Sequence, residues 1–391
     1  MRIKNNKLYF GKFRAEELAR KFGTPLYVYE GEIIEKQYRK LVESINYPRL
    51  RIHYACKINT NIEVLQLLRR LGSGIETVSE GEVRIALKAG FRPKNIIYTS
   101  TSMIEKEMKF LVKNKIWVNL DSLHQIEMYG KLNPYSKVGI RVNQGIDAGS
   151  HKHLVTGGDL SKFGIPVEHL LRAKKLAQKY SLKITGLHQH IGTHVHEEKI
   201  MLEAYNKLFK TALDFPDLET LNFGGGFWLP YKPEDKNLNL KLLGGKLSDG
   251  MKKFCHKYGR ELNMILEPGR FIVGESGTLL AEVADIKNNS KRNFIGLNTG
   301  MNHLVRPALY GAYHHITNAS RNNGRRIKAD IVGNICESGD VLGWDRVVTS
   351  PKIGDIFAIH TAGASGYAMA SHYNSRPLPK EVFIYKNKVS N

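Results

Sequence analysis

Apolar positions along this chain fall into two textures. From Pro25 to about Gly269, short runs of β-branched and aromatic residues alternate with segments whose apolar residues recur every three or four positions. The runs are PLYVY, RIHYAC, GIETVS, NIIYTS, IWVNLD, KVGIRVN, ITGLHQHIG, TLNFGGG and NMILEPG, and they predict strands. NIEVLQLLRRLG, EGEVRIALKAG, VEHLLRAKKLAQKY and EEKIMLEAYNKLFKTALD lie between them and predict amphipathic helices. Such alternation over about 250 residues predicts a parallel (β/α)8 barrel, with a doubly wound open sheet as the competing arrangement. Lys57, His190, the glycines at 224–226 and Glu267 follow the C-terminal ends of four different predicted strands. A barrel collects its chemistry at that end, so the barrel is favoured.

From about Phe271 the texture changes. FIVGESGTLLAEVADIKNN, RNFIGLN, IKADIVGNICESG, GDIFAIHTAG and EVFIYKN are strand-like, with turn residues between them and few helical stretches. They predict an all-β domain of the closed, Greek-key-like kind. The barrel is expected to begin at PLYVY and to span 28–272. The early LYF strand is expected to join the β-domain, which takes 1–27 and 273–391.

Composition narrows the class. A chain of 391 residues, 42% hydrophobic, is long enough for two cored domains. It has no apolar run of 18 residues to make a membrane span. The start MRIKNNKLYFGKF has no apolar signal core, so a cytoplasmic protein is expected. Three cysteines are too few and too scattered for a disulfide framework or a zinc cage. The net charge of +22 is spread along the chain without an arginine tract or an aromatic-interleaved basic stripe. It reads as a lysine-coated surface rather than a nucleic-acid footprint, and it suits anionic ligands.

A few positions carry chemistry. Lys57 ends an otherwise apolar strand, an odd place for a surface lysine and a suitable one for an amine that links to a carbonyl. GLHQHIGTHVH holds four histidines, with His188 and His190 on one strand face. A metal there would want carboxylate or thiolate company, whereas Glu197 and Glu198 lie beyond the strand, so no metal is expected. An imidazole stacked on a cofactor ring suits His190. Three glycines after a strand expose backbone N–H groups to an anion. Glu267, at the end of NMIL, could face a pyridine nitrogen and keep it protonated. Arg270 would then meet a phosphate or a substrate carboxylate, and an ordinary acid–arginine turn pair is the competing reading for both.

FGTPLYVY, YACKINTN, VSEGEVRIALKAGF, SKFGI, GLHQHIG, NFGGGF, EPGR, GMNHLVRPALYGAYH, CESGD and YNSRPLPKEV occur in this order over nearly the whole chain. Together they resemble the alanine-racemase-fold (fold type III) pyridoxal-phosphate decarboxylases, most closely the diaminopimelate decarboxylase family. The resemblance implies pyridoxal 5'-phosphate, decarboxylation of meso-2,6-diaminopimelate to L-lysine, and a homodimer with shared active sites. It implies that Lys57 holds the cofactor, His190 stacks on its ring, and Glu267 meets its nitrogen. Gly225, Gly226 and Thr193 would serve the phosphate, with Gly269 in the same cofactor-binding turn as Arg270. Arg270, Arg306 and Tyr310 would hold the substrate's distal carboxylate. Cys336 would donate a proton and Glu337 bind the distal ammonium, both from the other subunit.

Three positions depart from the family pattern. Its tyrosine in a Gly-Ala-Tyr-Gly segment is Ser365 here, so a phenol beside the substrate is lost unless Tyr367 or Tyr373 replaces it. Its aspartates before GMN and in the third strand are Asn298 and Glu76. The Ser365 departure keeps another substrate in play, such as carboxynorspermidine or a diamino acid. A non-catalytic regulatory homologue should have lost Lys57 or Cys336, and a racemase has no need of CESGD.

Overall fold

The computed structural model describes residues 2–146, 161–193 and 195–391. The chain divides into two compact units. One comprises Tyr38–Leu229 and Asn237–Gly269, and the other Met1–Gln37, Pro230–Lys236 and Arg270–Asn391.

The first unit is a closed parallel barrel. Its ring runs Leu50–Ala55, Gly74–Thr77, Ile96–Thr99, Trp117–Leu120, Lys137–Asn143, Lys183–His188, Thr220–Asn222 and Asn263–Leu266. Met264 pairs with Leu50 to close it. Helix starts are set by side-chain caps. Asn61 accepts the N–H groups of Glu63 and Val64, and Ser79 and Ser122 accept those of Glu82 and Gln125. Each such cap contributes about 1 kcal/mol and places its helix against the strand before it.

PLYVY was expected to open the barrel, and it does not. Leu26–Glu30 lies in the second unit, antiparallel to Gly277–Asn288 and parallel to Lys380–Tyr385. All five of its residues are buried, and a strand covered on both faces has the same continuous apolar pattern in either setting. Removing it leaves eight strands for the ring. The lysine strand also stops early, at Ala55, and Cys56–Ile58 forms a 3-10 turn. Lys57 therefore projects from a turn at the strand end rather than from the strand face.

The second unit is built on a mixed sheet. Its order is Val341–Thr349, Arg326–Val332, Asn293–Leu297, Gly277–Asn288, Leu26–Glu30, Lys380–Tyr385, Lys388–Ser390. Ile356–Ile359 also pairs with Gly277–Asn288 and carries Ile316–Asn318 on its other side. The run at Phe271 begins as a buried helical turn, Arg270–Val273, and becomes strand only at Gly277. Val341–Thr349 escapes the pattern reading because Trp344 and Asp345, both exposed, interrupt its apolar run. The LYF strand forms a separate three-stranded sheet, while Leu8 and Phe10 share a core with Leu280, Ala358 and Val382.

Candidate active site

Four adjacent strands of the ring deliver the predicted barrel residues at their C-terminal ends. Lys183–His188 leads to His190, Thr220–Asn222 to the glycines, Asn263–Leu266 to Glu267, and Leu50–Ala55 to Lys57. The next strand, Gly74–Thr77, contributes Glu76, whose Oε2 lies 2.6 Å from Lys57 Nζ. Glu76 is 3% exposed at its side chain and Lys57 43% exposed, so a reachable amine stands on a buried carboxylate. Burial works against the Lys57 ammonium, but Glu76, with Glu267 and Glu82, outweighs it and the net shift is upward. Burial also raises the Glu76 carboxyl, opposed by Lys57.

Glu267 is fixed by two partners that sequence reading did not assign. Its Oε2 lies 3.0 Å from His188 Nε2, and its Oε1 accepts from Asn222 Nδ2 at 2.6 Å. Asn222 is oriented in turn, because its Oδ1 accepts the Gly224 N–H at 3.0 Å. Burial opposes the Glu267 charge, yet His188, Lys57 and Asn222 together hold it down to about 2. It is a fixed anion.

The Gly224–Gly226 run is required by its surroundings. A Cβ at Gly224 would lie 2.3 Å from the Gln189 carbonyl oxygen, and one at Gly225 2.3 Å from that of Glu267. Gly224 and Gly226 also have φ of +69° and +100°. The Gly225 N–H donates to His190 Nδ1 at 3.2 Å, which directs that amide to the imidazole rather than outward. With Nδ1 accepting, the His190 proton resides on Nε2. Burial, then the Arg141 and Lys57 cations, hold His190 far below its usual value and keep the ring neutral. Thr193 lies half-buried in the loop that follows. Gly269 has a packing reason, since a Cβ there would stand 2.4 Å from Ile58 Cγ1 in the Lys57 turn. Of the four histidines, His194 lies outside the described residues, and His196 packs edge-on against Trp228.

Arg141 was missed, although an arginine inside KVGIRVN carries the same signal as Lys57. It is buried, 3.6 Å from Asp121, with its guanidinium over the Phe163 ring of SKFGI. Asp121 also accepts the Gly164 N–H, which explains why SKFGI is ordered against this strand end.

The second unit holds two further groups of predicted residues. Arg306 opens the helix Arg306–Tyr310 and is 2% exposed, and Tyr310 stands one turn later on the same face. Arg270 is equally enclosed at 6%. Arg270 Nη1 donates to the Tyr231 hydroxyl at 3.3 Å, and the Arg306 guanidinium lies 4.6 Å from the Tyr231 ring centroid. Neither arginine forms an ion pair with a carboxylate among the described residues, and the Nε of each lacks a partner.

The second group surrounds CESGD. Asp340 is buried and accepts the N–H groups of Met301 and Ile335 at 2.6 and 2.7 Å, tying the loop to the GMN segment. Cys336 and Glu337 are exposed. The Cys336 N–H donates to Asn374 Oδ1 at 2.8 Å, and the Tyr373 hydroxyl donates to Glu337 Oε1. Ser365 is buried at φ +53°. Of the two tyrosines considered as replacements for its missing phenol, Tyr367 packs edge-on against Tyr27, while Tyr373 reaches Glu337.

The barrel residues suit a phosphate-bearing pyridine aldehyde. They offer an amine, a neutral flat ring, a glycine turn packed too closely for any Cβ, and an ionised carboxylate. Two of the roughly four acceptor positions on that carboxylate are engaged, leaving room for a ring nitrogen. The buried Arg141 Nη2 also has no partner among the described residues.

Residues 31–274 match the family described as pyridoxal-dependent decarboxylase, pyridoxal binding domain. Fold and site thus define a pyridoxal-phosphate-dependent carboxy-lyase. A diaminopimelate decarboxylase of Methanothermobacter thermautotrophicus is 38% identical over 98% of this chain and 91% of its own length. That of Escherichia coli K12 is 32% identical over 95% and 91%. The solved diaminopimelate decarboxylase of M. jannaschii superposes with a TM-score of 0.92 at 31% identity, covering 99% of this chain and 93% of that one. The Helicobacter pylori enzyme, solved with L-lysine, gives 0.89 at 32% identity over 96% and 95%. The chain belongs to the diaminopimelate decarboxylase family.

Proposed function

We propose that this protein decarboxylates meso-2,6-diaminopimelate to L-lysine and CO2, as a cytoplasmic homodimer with shared active sites. The observation that carries the substrate is the Arg270–Arg306 pair, two buried cations with no protein carboxylate beside them among the described residues. Such a pair is suited to a second carboxylate, which ornithine or lysine as substrate does not have. The near full-length match to diaminopimelate decarboxylases supports the same substrate.

When bound, pyridoxal phosphate supplies a carbonyl that links to amines and a cationic ring that accepts the electron pair left by departing CO2. Lys57 Nζ would hold the cofactor, with the Glu76 carboxylate beside it to exchange the amine's proton. Glu267, fixed by His188 and Asn222, holds the proton on the ring nitrogen. His190, held by the Gly225 N–H, would cover the ring, and Gly226 and Thr193 would serve the phosphate. Arg270, Arg306 and Tyr310 bind the distal carboxylate and so orient the reacting carbon. Cys336 Sγ delivers the proton to that carbon, and Glu337 binds the distal ammonium, both from the partner subunit. Their exposure on the single chain supports an assignment across an interface, as do the exposed apolar side chains Leu309 and Trp344.

Purified protein is expected to release CO2 from meso-diaminopimelate only when pyridoxal phosphate is supplied. Faster release from carboxynorspermidine or another diamino acid would replace the substrate while keeping the reaction. Shared sites have their own test. Lys57→Ala and Cys336→Ala proteins, inactive alone, should recover about a quarter of the wild-type rate once mixed and re-associated. No recovery from exchanged, folded subunits would rule out sites completed across an interface.

A further inference from the structure

We propose that Tyr231 is a positioning residue for the substrate's distal carboxylate, holding Arg270 and Arg306 together without neutralising them. The proposal rests on the reading that this arginine pair binds that carboxylate, and it adds a residue that the reading did not include.

Two guanidiniums enclosed in one unit repel each other and are costly to desolvate. Something must hold them. A protein carboxylate would do so, but it would also take up the charge that the substrate needs. Tyr231 touches both cations with one side chain, its hydroxyl bonding Arg306 as well as Arg270. Its hydroxyl accepts from Arg270 Nη1 at 3.3 Å, while its ring lies under the Arg306 guanidinium at 4.6 Å. Neither contact uses an anion. His314 supports the far side, with its ring edge-on to Tyr231 at 5.5 Å between centroids. Its Nδ1 lies 2.9 Å from the His360 carbonyl oxygen, to which it can only donate. Its Nε2 is therefore the acceptor for Arg306 Nη1, at 3.0 Å. Burial, then Arg306, push His314 down to about 3, so it stays a neutral acceptor.

Chain organisation agrees. Pro230–Lys236 clusters with the second unit although the chain on both sides of it belongs to the barrel unit. That segment places Tyr231 beside the two arginines. The phenol also responds to them. Burial pushes its pKa up, but Arg306 and Arg270 outweigh burial and the net shift is downward.

The test compares wild type with Tyr231→Phe, both loaded with pyridoxal phosphate. Three quantities are measured: kcat and KM for meso-diaminopimelate, calorimetric affinity for pimelate, and calorimetric affinity for 1,5-diaminopentane. Pimelate has carboxylates without amines, and the diamine has no carboxylate for the arginines to hold. Losing the hydroxyl should raise KM and the pimelate Kd each about tenfold, the scale of a hydrogen bond to a charged group. The diamine Kd should be unchanged, and kcat should stay within about twofold. Unchanged pimelate affinity, equal weakening of both probes, or a loss confined to kcat would each overturn the proposal. If Tyr231→Phe fails to fold, His314 decides the matter. His314→Leu should weaken pimelate binding, and His314→Gln, which keeps an acceptor for Arg306, should restore most of it; equal affinities in the two would overturn the proposal. The two readings fail separately. A wild type that binds pimelate in a Tyr231-dependent way but releases no CO2 from meso-diaminopimelate would refute the substrate and leave this proposal standing.

Discussion

Lys57→Ala is expected to remove the visible absorbance of the lysine-bound cofactor and to lower turnover by at least about a thousandfold. The argument starts from the pair with Glu76 at 2.6 Å. The lysine is held charged and must shed a proton before it can attack a carbonyl, and the nearest carboxylate is one that burial has made a better proton acceptor. Alanine removes the nucleophile and also strands a buried carboxylate, so lost stability could imitate lost chemistry. Lys57→Arg separates the two. It keeps a cation for Glu76 yet stays protonated and cannot form the link. Both variants should lack the absorbance band and turnover, while Lys57→Arg should melt closer to wild type than Lys57→Ala does. Turnover retained by either protein would sink the assignment of Lys57.

Most of the barrel cluster was legible because catalytic side chains break the local pattern. Lys57 and Glu267 each end an apolar strand, where a surface role makes poor sense, and the structure brings both to one end of the ring. The residues that fix them were less visible. His188 and Asn222 lie within their strands and are polar in the way many buried residues are, so only their 3.0 and 2.6 Å contacts to Glu267 reveal a purpose. Tyr231 carried no signal at all. It follows a glycine-rich loop as an ordinary aromatic, and its neighbours Arg306 and His314 lie more than seventy residues away in sequence. The misplaced strand has a similar cause. PLYVY reports burial on both faces, but nothing local records which sheet does the burying.

Glu267→Gln should bind the cofactor and lower kcat about a thousandfold, a loss of about 4 kcal/mol in transition-state stabilisation. The substitution preserves shape and removes charge. His188 Nε2 and Asn222 Nδ2 approach the two carboxylate oxygens separately, and an amide has only one oxygen to offer them. One donor thus faces an NH2 group, and the ring nitrogen loses the anion that keeps it protonated. Cofactor affinity should change less, because the amine link and the phosphate contacts do not involve this side chain. Glu267→Asp retains the charge at a shorter reach and should fall between wild type and Gln. The pH dependence supports the same assignment. A carboxylate held down to about 2 stays ionised throughout the neutral range, so its own titration should form no limb of the wild-type activity profile. Stopped-flow rates at saturating cofactor would measure kcat, with cofactor occupancy read from absorbance. If Glu267→Gln remained within about tenfold of wild type at full occupancy, the ring nitrogen would not depend on Glu267.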